Sequence, residues 1–339
     1  MAFYGPAPNT KARLDRGNDI MRKKLVGLLP AGTIPPASIS KANRFAEVVL
    51  TESAHQALHE LQDAEGLLLW DISNPIIRTN PLPPKLDWIQ TTSVGVETVV
   101  SSEVACSDII VTNMRGIFER PIAEYVLGML LMVNKDFRRT IEFQRVKKWN
   151  WRSTLELRGQ TVVLVGPGAI GKEIFDLLTA VGMKVIAVGR RELISDPVFG
   201  HRRSIYDLAS ILPTADAVVL SLPLTAETHG FMNYERFSSM KPGAVFVNIG
   251  RGGLVDEQAL ITSLEDGQLT SALLDVFAME PLPSDHPFWL MEQVFVSPHM
   301  SAEVNGWEEK AVAKFLENLE RWTLGKPLEN IIDKAARLL

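Results

Sequence analysis

The sequence predicts an α/β protein in which helices cover the faces of parallel β-sheets. Two observations lead to this prediction. Short apolar runs alternate with helical segments along most of the chain, a pattern typical of parallel sheets. A Gly-rich turn, Gly166–Gly171, directly follows one apolar run and opens a helical pattern. We therefore expect a doubly wound, Rossmann-type sheet, and the length of the chain leaves room for a second α/β unit.

Length and composition set the broad class. The chain has 339 residues, of which 46% are hydrophobic and 22% are charged, and its formal net charge is −5. This length suits two domains with packed cores, and the acidic balance argues against a nucleic-acid partner. The N-terminus lacks the regions of a signal peptide, and no apolar run reaches the roughly 20 residues that a membrane span needs. We expect a soluble, cytoplasmic protein without a membrane partner.

Cysteine and histidine give little sign of redox or metal chemistry. The single cysteine, Cys106, excludes an intramolecular disulfide and is expected to be a small packed residue. His55 and His59 are spaced like a helical zinc pair, but the glutamate of the zinc-protease motif is missing. A solvated helix face is the simpler interpretation, and we predict no metal site.

The first third of the chain predicts one sheet. Residues 1–23 are polar and mixed in charge, and we expect them to form a loose extension. Strands are predicted at residues 24–29, 46–50, 66–70, 86–90 and 108–111, with a helix at residues 51–61. A long helix is predicted at residues 119–138. Because it is apolar nearly all round, it must be buried on most sides, at a domain hinge or a subunit interface.

The rest of the chain predicts a second sheet. Strands are expected at residues 161–165, 184–188, 215–220, 244–248, 271–275 and 294–296, and helices at residues 169–181, 256–265 and 302–324. Six strands are the number expected of a complete dinucleotide-binding sheet.

The Gly-rich turn is the first candidate site. In Gly166-Pro167-Gly168-Ala169-Ile170-Gly171, the glycines permit a tight turn, close approach to a pyrophosphate and close packing of helix on strand. The helix N-terminus offers N–H groups to the phosphates. The position of the motif between a strand and a helix favours dinucleotide binding over a turn without a ligand.

Two arginines at the tip of the next strand bear on the choice of cofactor. NAD-binding sites usually carry Asp or Glu there to hold the ribose 2′-hydroxyl, whereas this chain has Arg190 and Arg191. Guanidinium groups attract a 2′-phosphate and can hold it with paired hydrogen bonds. We predict NADP(H), with NAD(H) as the alternative. The competing interpretations are that both arginines are surface charges, or that Glu192 reaches the ribose.

Polar segments follow four predicted strands of the second sheet, at residues 221–225, 248–253, 275–281 and 297–299. Ligands of open α/β sheets bind outside the carboxyl ends of the strands. These segments are therefore expected to line one cleft.

These motifs resemble those of the D-isomer-specific 2-hydroxyacid dehydrogenase family, and within it the glyoxylate/hydroxypyruvate reductases. The similarity rests on the Gly166–Gly171 turn, the segments 222–225, 248–253, 275–281 and 297–299, the loop Val94-Gly95-Val96 and residues 121–124, and it extends over about residues 25–330. The resemblance implies a Rossmann-type cofactor domain at residues 114–303. This domain is inserted into a smaller, flavodoxin-like α/β substrate domain at residues 1–113, which residues 304–339 complete. A homodimer formed through the long helix is also implied.

The resemblance places the catalytic groups on Arg251, Glu280 and His299. The planar fork of Arg251 can hold a carboxylate and the adjacent carbonyl oxygen of a small 2-keto acid. The imidazole of His299 can donate a proton to that oxygen as hydride arrives, and an ionised Glu280 would favour the imidazolium and fix its tautomer. The implied activity is NADPH-dependent reduction of a 2-keto acid to the D-2-hydroxy acid.

The resemblance also assigns binding residues. The amides of Val94 and Gly95, together with Arg251, are expected to hold the substrate carboxylate. Contacts to the cofactor are expected from Gly166, Gly168, Ala169, Ile170, Gly171, Arg190, Arg191, Leu222, Pro223, Thr228, Ile249, Gly250, Asp275 and Ser301.

The chain departs from the family pattern in places. Glu97 stands where the family often has Asp, and Glu119-Arg120 replaces small polar residues before the long helix, so that Arg120 stays unassigned. No appended regulatory domain is expected after Leu339. Alternative functions are a D-3-phosphoglycerate dehydrogenase, a dehydrogenase of aromatic 2-hydroxy acids, and a dinucleotide-sensing, corepressor-like binding protein. The side chain of the substrate is not predicted.

Overall fold

The computed structural model describes residues 22–334, and the structural statements below concern these residues. They form two α/β units, each built on its own sheet. The predicted N-terminal extension lies outside the described residues up to position 21, as do residues 335–339 of the predicted C-terminal segment. No helix within residues 22–334 combines the length and the apolar character needed to cross a membrane.

The first sheet has five parallel strands. They are β1 (Lys24–Leu28), β2 (Glu47–Thr51), β3 (Gly66–Leu69), β4 (Trp88–Thr91) and β5 (Ile110–Thr112), with helices α1 (Ala54–Glu60), α2 (Ile76–Thr79) and α3 (Ser102–Cys106) between them. Their spatial order is β2-β1-β3-β4-β5, the flavodoxin-like order that was predicted. Every residue of β3 and β4 is buried, as is usual for central parallel strands.

Two helices lead from the first sheet to the second, α4 (Glu119–Asn134) and α5 (Phe137–Arg145). The prediction of one helix over residues 119–138 is wrong at its end. Asp136 adopts φ 51° and ψ 45°, a left-handed conformation that aspartate tolerates better than most residues and that interrupts the helix. Arg152 fixes this break, because its Nη2 donates to the Asp136 carbonyl oxygen at 2.7 Å and its Nε to the Asp136 carboxylate at 2.5 Å.

The second sheet has eight strands. They are β6 (Thr161–Val165), β7 (Lys184–Gly189), β8 (Leu193–Asp196), β9 (Gly200–Ser204), β10 (Ala217–Leu220), β11 (Ala244–Asn248), β12 (Leu269–Leu274) and β13 (Val294–Val296). The helices between them are α6 (Ala169–Ala180), α7 (Leu208–Ile211), α8 (Tyr234–Ser238) and α9 (Glu257–Glu265). The spatial order is β13-β12-β11-β10-β6-β7-β9-β8, and only the β8–β9 pair is antiparallel. The direction of winding reverses beside β6, where ligands of such sheets bind.

The sheet is larger than the six strands predicted. All six exist, but β8 and β9 were missed, and β9 is the parallel neighbour of β7. The two missed strands read Leu-Ile-Ser-Asp and Gly-His-Arg-Arg-Ser and are largely unburied. They therefore lack the apolar run by which the other strands were predicted.

The C-terminal helix α10 (Trp307–Thr323) returns to the first sheet. The Trp322 indole donates to Asp87 Oδ1 at 2.7 Å and packs on Trp88 with ring centroids 5.1 Å apart. The helix begins five residues later than predicted, after Gly306 at φ 79°. These contacts agree with completion of the first unit by the C-terminal segment, while the domain limits at residues 113 and 303 remain predictions.

One apolar core runs through both units. It joins the face of the first sheet and α10 to α4, α6 and one face of the second sheet, with members that include Leu68, Phe315, Val126, Ile174 and Leu164. Helix α4 contributes Ile122, Ala123, Val126 and Leu130 to this core, and its other apolar side chains are partly buried.

The expectation for Cys106 is wrong. It lies at the last position of α3, where Val104 is the buried residue and Cys106 is exposed. A five-residue helix buries only one side, and the sequence pattern of so short an element did not identify which.

Candidate active site

The Gly-rich turn lies between β6 and α6. Gly166 has φ 111°, and a Cβ at this position would lie 2.3 Å from the carbonyl oxygen of Ser221. Two features therefore exclude a side chain at this position. The positive φ angle is unfavourable for residues other than glycine, and the loop that follows β10 lies too close to leave room for a Cβ. The turn thus holds the ends of two neighbouring strands together.

The N-terminus of α6 is open. Gly168 precedes the helix and no side chain caps it, so the amides of Ala169, Ile170 and Gly171 in the first turn lack helical acceptors. A Cβ on Gly168 would have no described atom within 4 Å. An uncapped 12-residue helix facing open space fits a pyrophosphate.

The arginines predicted to bind a 2′-phosphate lie at the carboxyl end of β7. Arg190 Nη2 lies 2.5 Å from Glu227 Oε2, and both side chains are mostly exposed. Arg191 forms no ion pair within the described chain. Glu192, the rival candidate for the ribose, lies 2.7 Å from His201 Nε2, and both of these side chains are about half exposed.

The loop after β10 is held by its own hydrogen bonds. The Thr228 hydroxyl donates to the Pro223 carbonyl at 2.7 Å and accepts from the Thr225 amide at 2.8 Å. Gly250 lies against this loop, since a Cβ there would be 2.8 Å from the Leu222 carbonyl oxygen. Leu222, Pro223, Thr228, Ile249 and Gly250 are thereby placed in neighbouring loops at one edge of the sheet.

His299 and Glu280 form a pair. His299 Nδ1 lies 2.8 Å from Glu280 Oε2, and the other oxygen of this carboxylate accepts from the Phe277 amide at 2.8 Å. Partial burial opposes the charge on Glu280, but the hydrogen bonds from His299 and Phe277, aided by the charge of Arg251, hold the pKa of Glu280 below its ordinary value. The carboxylate is therefore ionised where it meets the imidazole.

Arg251 faces the loop that was predicted to bind substrate. Its Nη1 donates to the Gly250 carbonyl at 2.7 Å, and its Nη2 lies 3.2 Å from Glu97 Oε2. A Cβ on Gly95 would lie 1.7 Å from Arg251 Nη2. The guanidinium thus lies directly against the loop at Gly95, and the structure brings a residue of each unit into contact.

The amides of Val94 and Gly95 have no acceptor among residues 22–334. The loop that carries them is nevertheless fixed, because Asn113 donates to the Val94 carbonyl at 2.8 Å and Arg78 donates to the Glu97 carbonyl at 2.9 Å. Two unengaged N–H groups beside a guanidinium form a suitable site for a carboxylate.

Asp275 is buried behind His299. Its carboxylate accepts from the Ser297 hydroxyl at 2.6 Å and from the amides of Met300 and Ser301, each at 2.9 Å. The loop on both sides of His299, which itself has φ 52°, is tied to this one carboxylate. Asp275 and Ser301, predicted as cofactor contacts, here hold the histidine loop in place.

Two residues near this site, Glu97 and Tyr125, were not predicted as members of it. Glu97 was noticed only as a departure from the family pattern. Tyr125 of α4 and Ser297 share a hydrogen bond, and burial raises the pKa of Tyr125 to about 12, so that it stays a neutral donor. A long-range contact of this kind leaves no signal in the sequence. Arg120 pairs with Glu124 at 2.8 Å and reaches Glu173 at 4.0 Å, between α4 and α6.

The fold and this site together define a class. A Gly-rich strand–helix turn at the switch point of a doubly wound sheet, with a His–Glu pair and an arginine beside the same cleft, is the arrangement of an NAD(P)-dependent dehydrogenase. The chain belongs to the D-isomer specific 2-hydroxyacid dehydrogenase family, whose NAD binding domain matches residues 127–301. The predicted family and fold class are confirmed.

Known proteins of this family resemble the chain over most of its length. A glyoxylate reductase of Thermofilum pendens is 30% identical over 286 residues, which cover 79% of this chain and 83% of that protein. A family member from Xanthobacter autotrophicus, solved with NADPH, is 26% identical with a TM-score of 0.78 over 93% of this chain and 99% of its own. An NADPH-dependent glyoxylate/hydroxypyruvate reductase from Sinorhizobium meliloti is 25% identical with a TM-score of 0.79 over 93% and 99%.

Proposed function

We propose that this protein reduces a small 2-keto acid, of the glyoxylate or hydroxypyruvate type, to the D-2-hydroxy acid, with NADPH as the preferred reductant. The observation that carries the proposal is the 2.8 Å contact of His299 with Glu280, in a site where Arg251 faces two unengaged amides. The activities named for the relatives from T. pendens and S. meliloti support it. A reducing compartment such as the cytoplasm suits the exposed thiol of Cys106.

The Gly-rich turn and the arginines after β7 have the chemistry needed to bind NADPH. The open N-terminus of α6 suits the pyrophosphate, and Arg190 and Arg191 lie where the adenosine 2′-phosphate is expected. When bound, the cofactor supplies a hydride from C4 of its nicotinamide. We expect the nicotinamide ring to lie beside the two loops that carry Asp275 and Ser301.

Substrate binding falls to Arg251 and the loop of Val94 and Gly95. The guanidinium and the two amides would hold the carboxylate, and the remaining donors of Arg251 would reach the adjacent carbonyl oxygen. The Gly250 carbonyl holds Nη1 of Arg251, and the positive charge of this guanidinium also stabilises the negative charge that develops on that oxygen. Glu97 has to give up its contact with Arg251 when the substrate carboxylate takes the same donors.

Proton transfer falls to His299. An ionised carboxylate only accepts hydrogen bonds, so the contact with Glu280 places a proton on Nδ1 of His299. Nε2 is then the nitrogen that can deliver a proton to the substrate oxygen. Glu280 stabilises the imidazolium before the transfer, and the side chain of His299, which is 45% exposed, can be reprotonated from solvent.

We also propose that the protein is a homodimer. Helix α5 has no buried residue, although Phe137 and Ile141 are apolar. The following loop exposes 97% of Trp149 and 84% of Trp151, and Leu155 beyond them is 65% exposed. Several exposed apolar and aromatic side chains that follow one another along the chain favour an interaction surface, and a second copy of the chain is the partner that a homodimer would place against it.

A kinetic panel tests the proposed reaction. NADPH and NADH oxidation would be measured with glyoxylate, hydroxypyruvate, phosphohydroxypyruvate and phenylpyruvate. We expect the highest kcat/KM with NADPH and one of the two small keto acids. Turnover confined to the phosphorylated or the aromatic keto acid would contradict the substrate class, and no turnover of any of them by folded protein would contradict the proposed reaction.

A further inference from the structure

Strand β9 carries two adjacent arginines that point to opposite faces of the sheet. Arg203 pairs in register with Val188, and Ser204 with Gly189, the last residue of β7. Because side chains alternate along a strand, Arg202 lies on the face opposite Arg203. The structure thus provides two neighbouring side chains of the same chemistry in different surroundings.

Arg202 lies at the corner between β7 and the Gly-rich turn. A Cβ built on Gly189 would lie 3.3 Å from Arg202 Cδ and 2.8 Å from Pro167 Cγ. Gly189 is therefore enclosed between the arginine stem and the second residue of the Gly-Pro-Gly turn. Arg190 follows Gly189 directly, so Arg202 borders the region expected to receive the adenosine ribose.

The charge of Arg202 meets a buried carboxylate. Arg202 Nη1 lies 3.3 Å from Asp196 Oδ2, and Asp196 Oδ1 accepts from the amides of Val198 and Phe199 at 2.9 and 3.1 Å. These hydrogen bonds, with the charge of Arg202, hold the pKa of Asp196 below its ordinary value. The Nε atoms of Arg202 and Arg203 are both buried without a hydrogen-bond partner within the described chain, so the two arginines differ in the face they occupy and not in this respect.

We propose that Arg202 is a specificity-determining residue for NADPH, forming with Arg190 and Arg191 the group of cations that holds the adenosine 2′-phosphate. This inference rests on the proposed use of NADPH. Arg202 acts in two ways. It adds a positive charge to the site, and it neutralises the negative charge of the Asp196 carboxylate, which would otherwise repel the phosphate. The other nearby carboxylates, Glu192 and Glu227, are already paired with His201 and Arg190.

Calorimetric titration of the whole protein tests this role without turnover. NADPH, NADH, adenosine 2′,5′-bisphosphate and AMP would each be titrated into wild type, Arg202→Gln and the matched control Arg203→Gln. We expect Arg202→Gln to weaken binding of the two 2′-phosphorylated ligands by about tenfold or more, as for loss of a hydrogen bond between charged groups. NADH and AMP should bind with their original affinity. Arg203→Gln should change none of the four.

The outcomes separate this inference from the proposed function. Equal affinity of wild type for NADPH and NADH would overturn the NADPH preference itself. A wild-type preference that survives in Arg202→Gln would overturn the role of Arg202 alone, and so would an equal loss for all four ligands. If Arg202→Gln does not fold, Arg202→Lys, which keeps the charge, should retain most of the preference, and its full loss there would count against a charge-based role.

Discussion

At the scale of single residues, the contact between Arg251 and Glu97 has a consequence for substrate affinity. The guanidinium lies 3.2 Å from a carboxylate of the protein, the same kind of group that a 2-keto acid presents. A substrate therefore has to compete with Glu97 for Arg251. Both side chains are partly exposed, so the competition is worth little more than a surface ion pair.

Glu97→Gln removes this competitor. We expect KM for the keto acid to fall by up to about fivefold, the range of a partly exposed ion pair, with kcat nearly unchanged. Steady-state kinetics with NADPH measures both constants, and Glu103→Gln, an exposed position on α3, is the matched control. A higher KM in Glu97→Gln would show that Glu97 positions Arg251 for the substrate and does not compete with it.

Glu280 makes the stability of the protein depend on pH. Its pKa is lowered in the folded protein, so the ionised carboxylate favours folding at pH values above the ordinary glutamate pKa of about 4.3, and this contribution is lost as the pH falls below it. Wild type should therefore be more stable than Glu280→Gln near neutral pH, and the difference should shrink in acid. Urea unfolding at several pH values measures it. A difference that grows as the pH falls below about 4.3 would contradict the direction of the pKa shift.

The sequence predicted the catalytic candidates but not their neighbours. Arg251, Glu280 and His299 lie in segments that follow strands, and their placement at one edge of the sheet follows from topology. Glu97 and Arg251 are 154 positions apart. Their contact depends on how the two sheets face each other, which no local pattern encodes.

At the scale of elements, two glycines of the Gly-rich turn are expected to have different roles, one in folding and the other in cofactor binding. Gly166 has no room for a Cβ, whereas Gly168 faces open space. Gly168→Ala should keep the wild-type melting temperature while weakening NADPH binding, because its methyl group enters the space of the pyrophosphate. Gly166→Ala should lower the melting temperature, because φ is 111° and the Ser221 backbone is close.

Thermal unfolding and calorimetric titration of both variants check this prediction. Wild-type NADPH affinity in Gly168→Ala would argue against a pyrophosphate at this turn. A wild-type melting temperature in Gly166→Ala would mean that the loop after β10 can move away.

Two strands and five helices were not predicted, namely β8, β9, α2, α3, α5, α7 and α8, and the structure of the two strands comes from their neighbours. Strands β8 and β9 are polar and form at the edge of a sheet whose central strands are apolar. Helix α4 ends because Arg152 fixes Asp136 in a left-handed conformation. The buried strands, whose pattern reflects their own burial, were predicted to within a few residues, whereas the long helices α4 and α10 were predicted with one end misplaced.

At the scale of the whole molecule, the two sheets are joined by one core, and the cleft lies at their junction. The five-stranded order and the return of α10 to the first sheet agree with the arrangement that the family resemblance implied. The surface of α5 and the loop after it leaves Trp149 and Trp151 largely exposed in the described chain.

That surface predicts self-association. Replacing both Trp149 and Trp151 with Ser should shift the sedimentation of the protein from dimer to monomer. Ile34→Glu, at an apolar residue that is 94% exposed elsewhere, is the control and should leave the dimer intact. A wild-type protein that sediments as a monomer at micromolar concentration would contradict the proposed interface.

The central claim is that His299, held by Glu280, delivers the proton in the reduction of a 2-keto acid. The most direct measurement compares wild type and His299→Asn, with hydroxypyruvate as substrate, NADPH affinity measured by titration, and the product resolved by chirality. We predict that wild type forms D-glycerate and that kcat falls by about 10²–10⁴-fold in the variant, with NADPH affinity unchanged. A kcat in His299→Asn close to that of wild type would contradict the account.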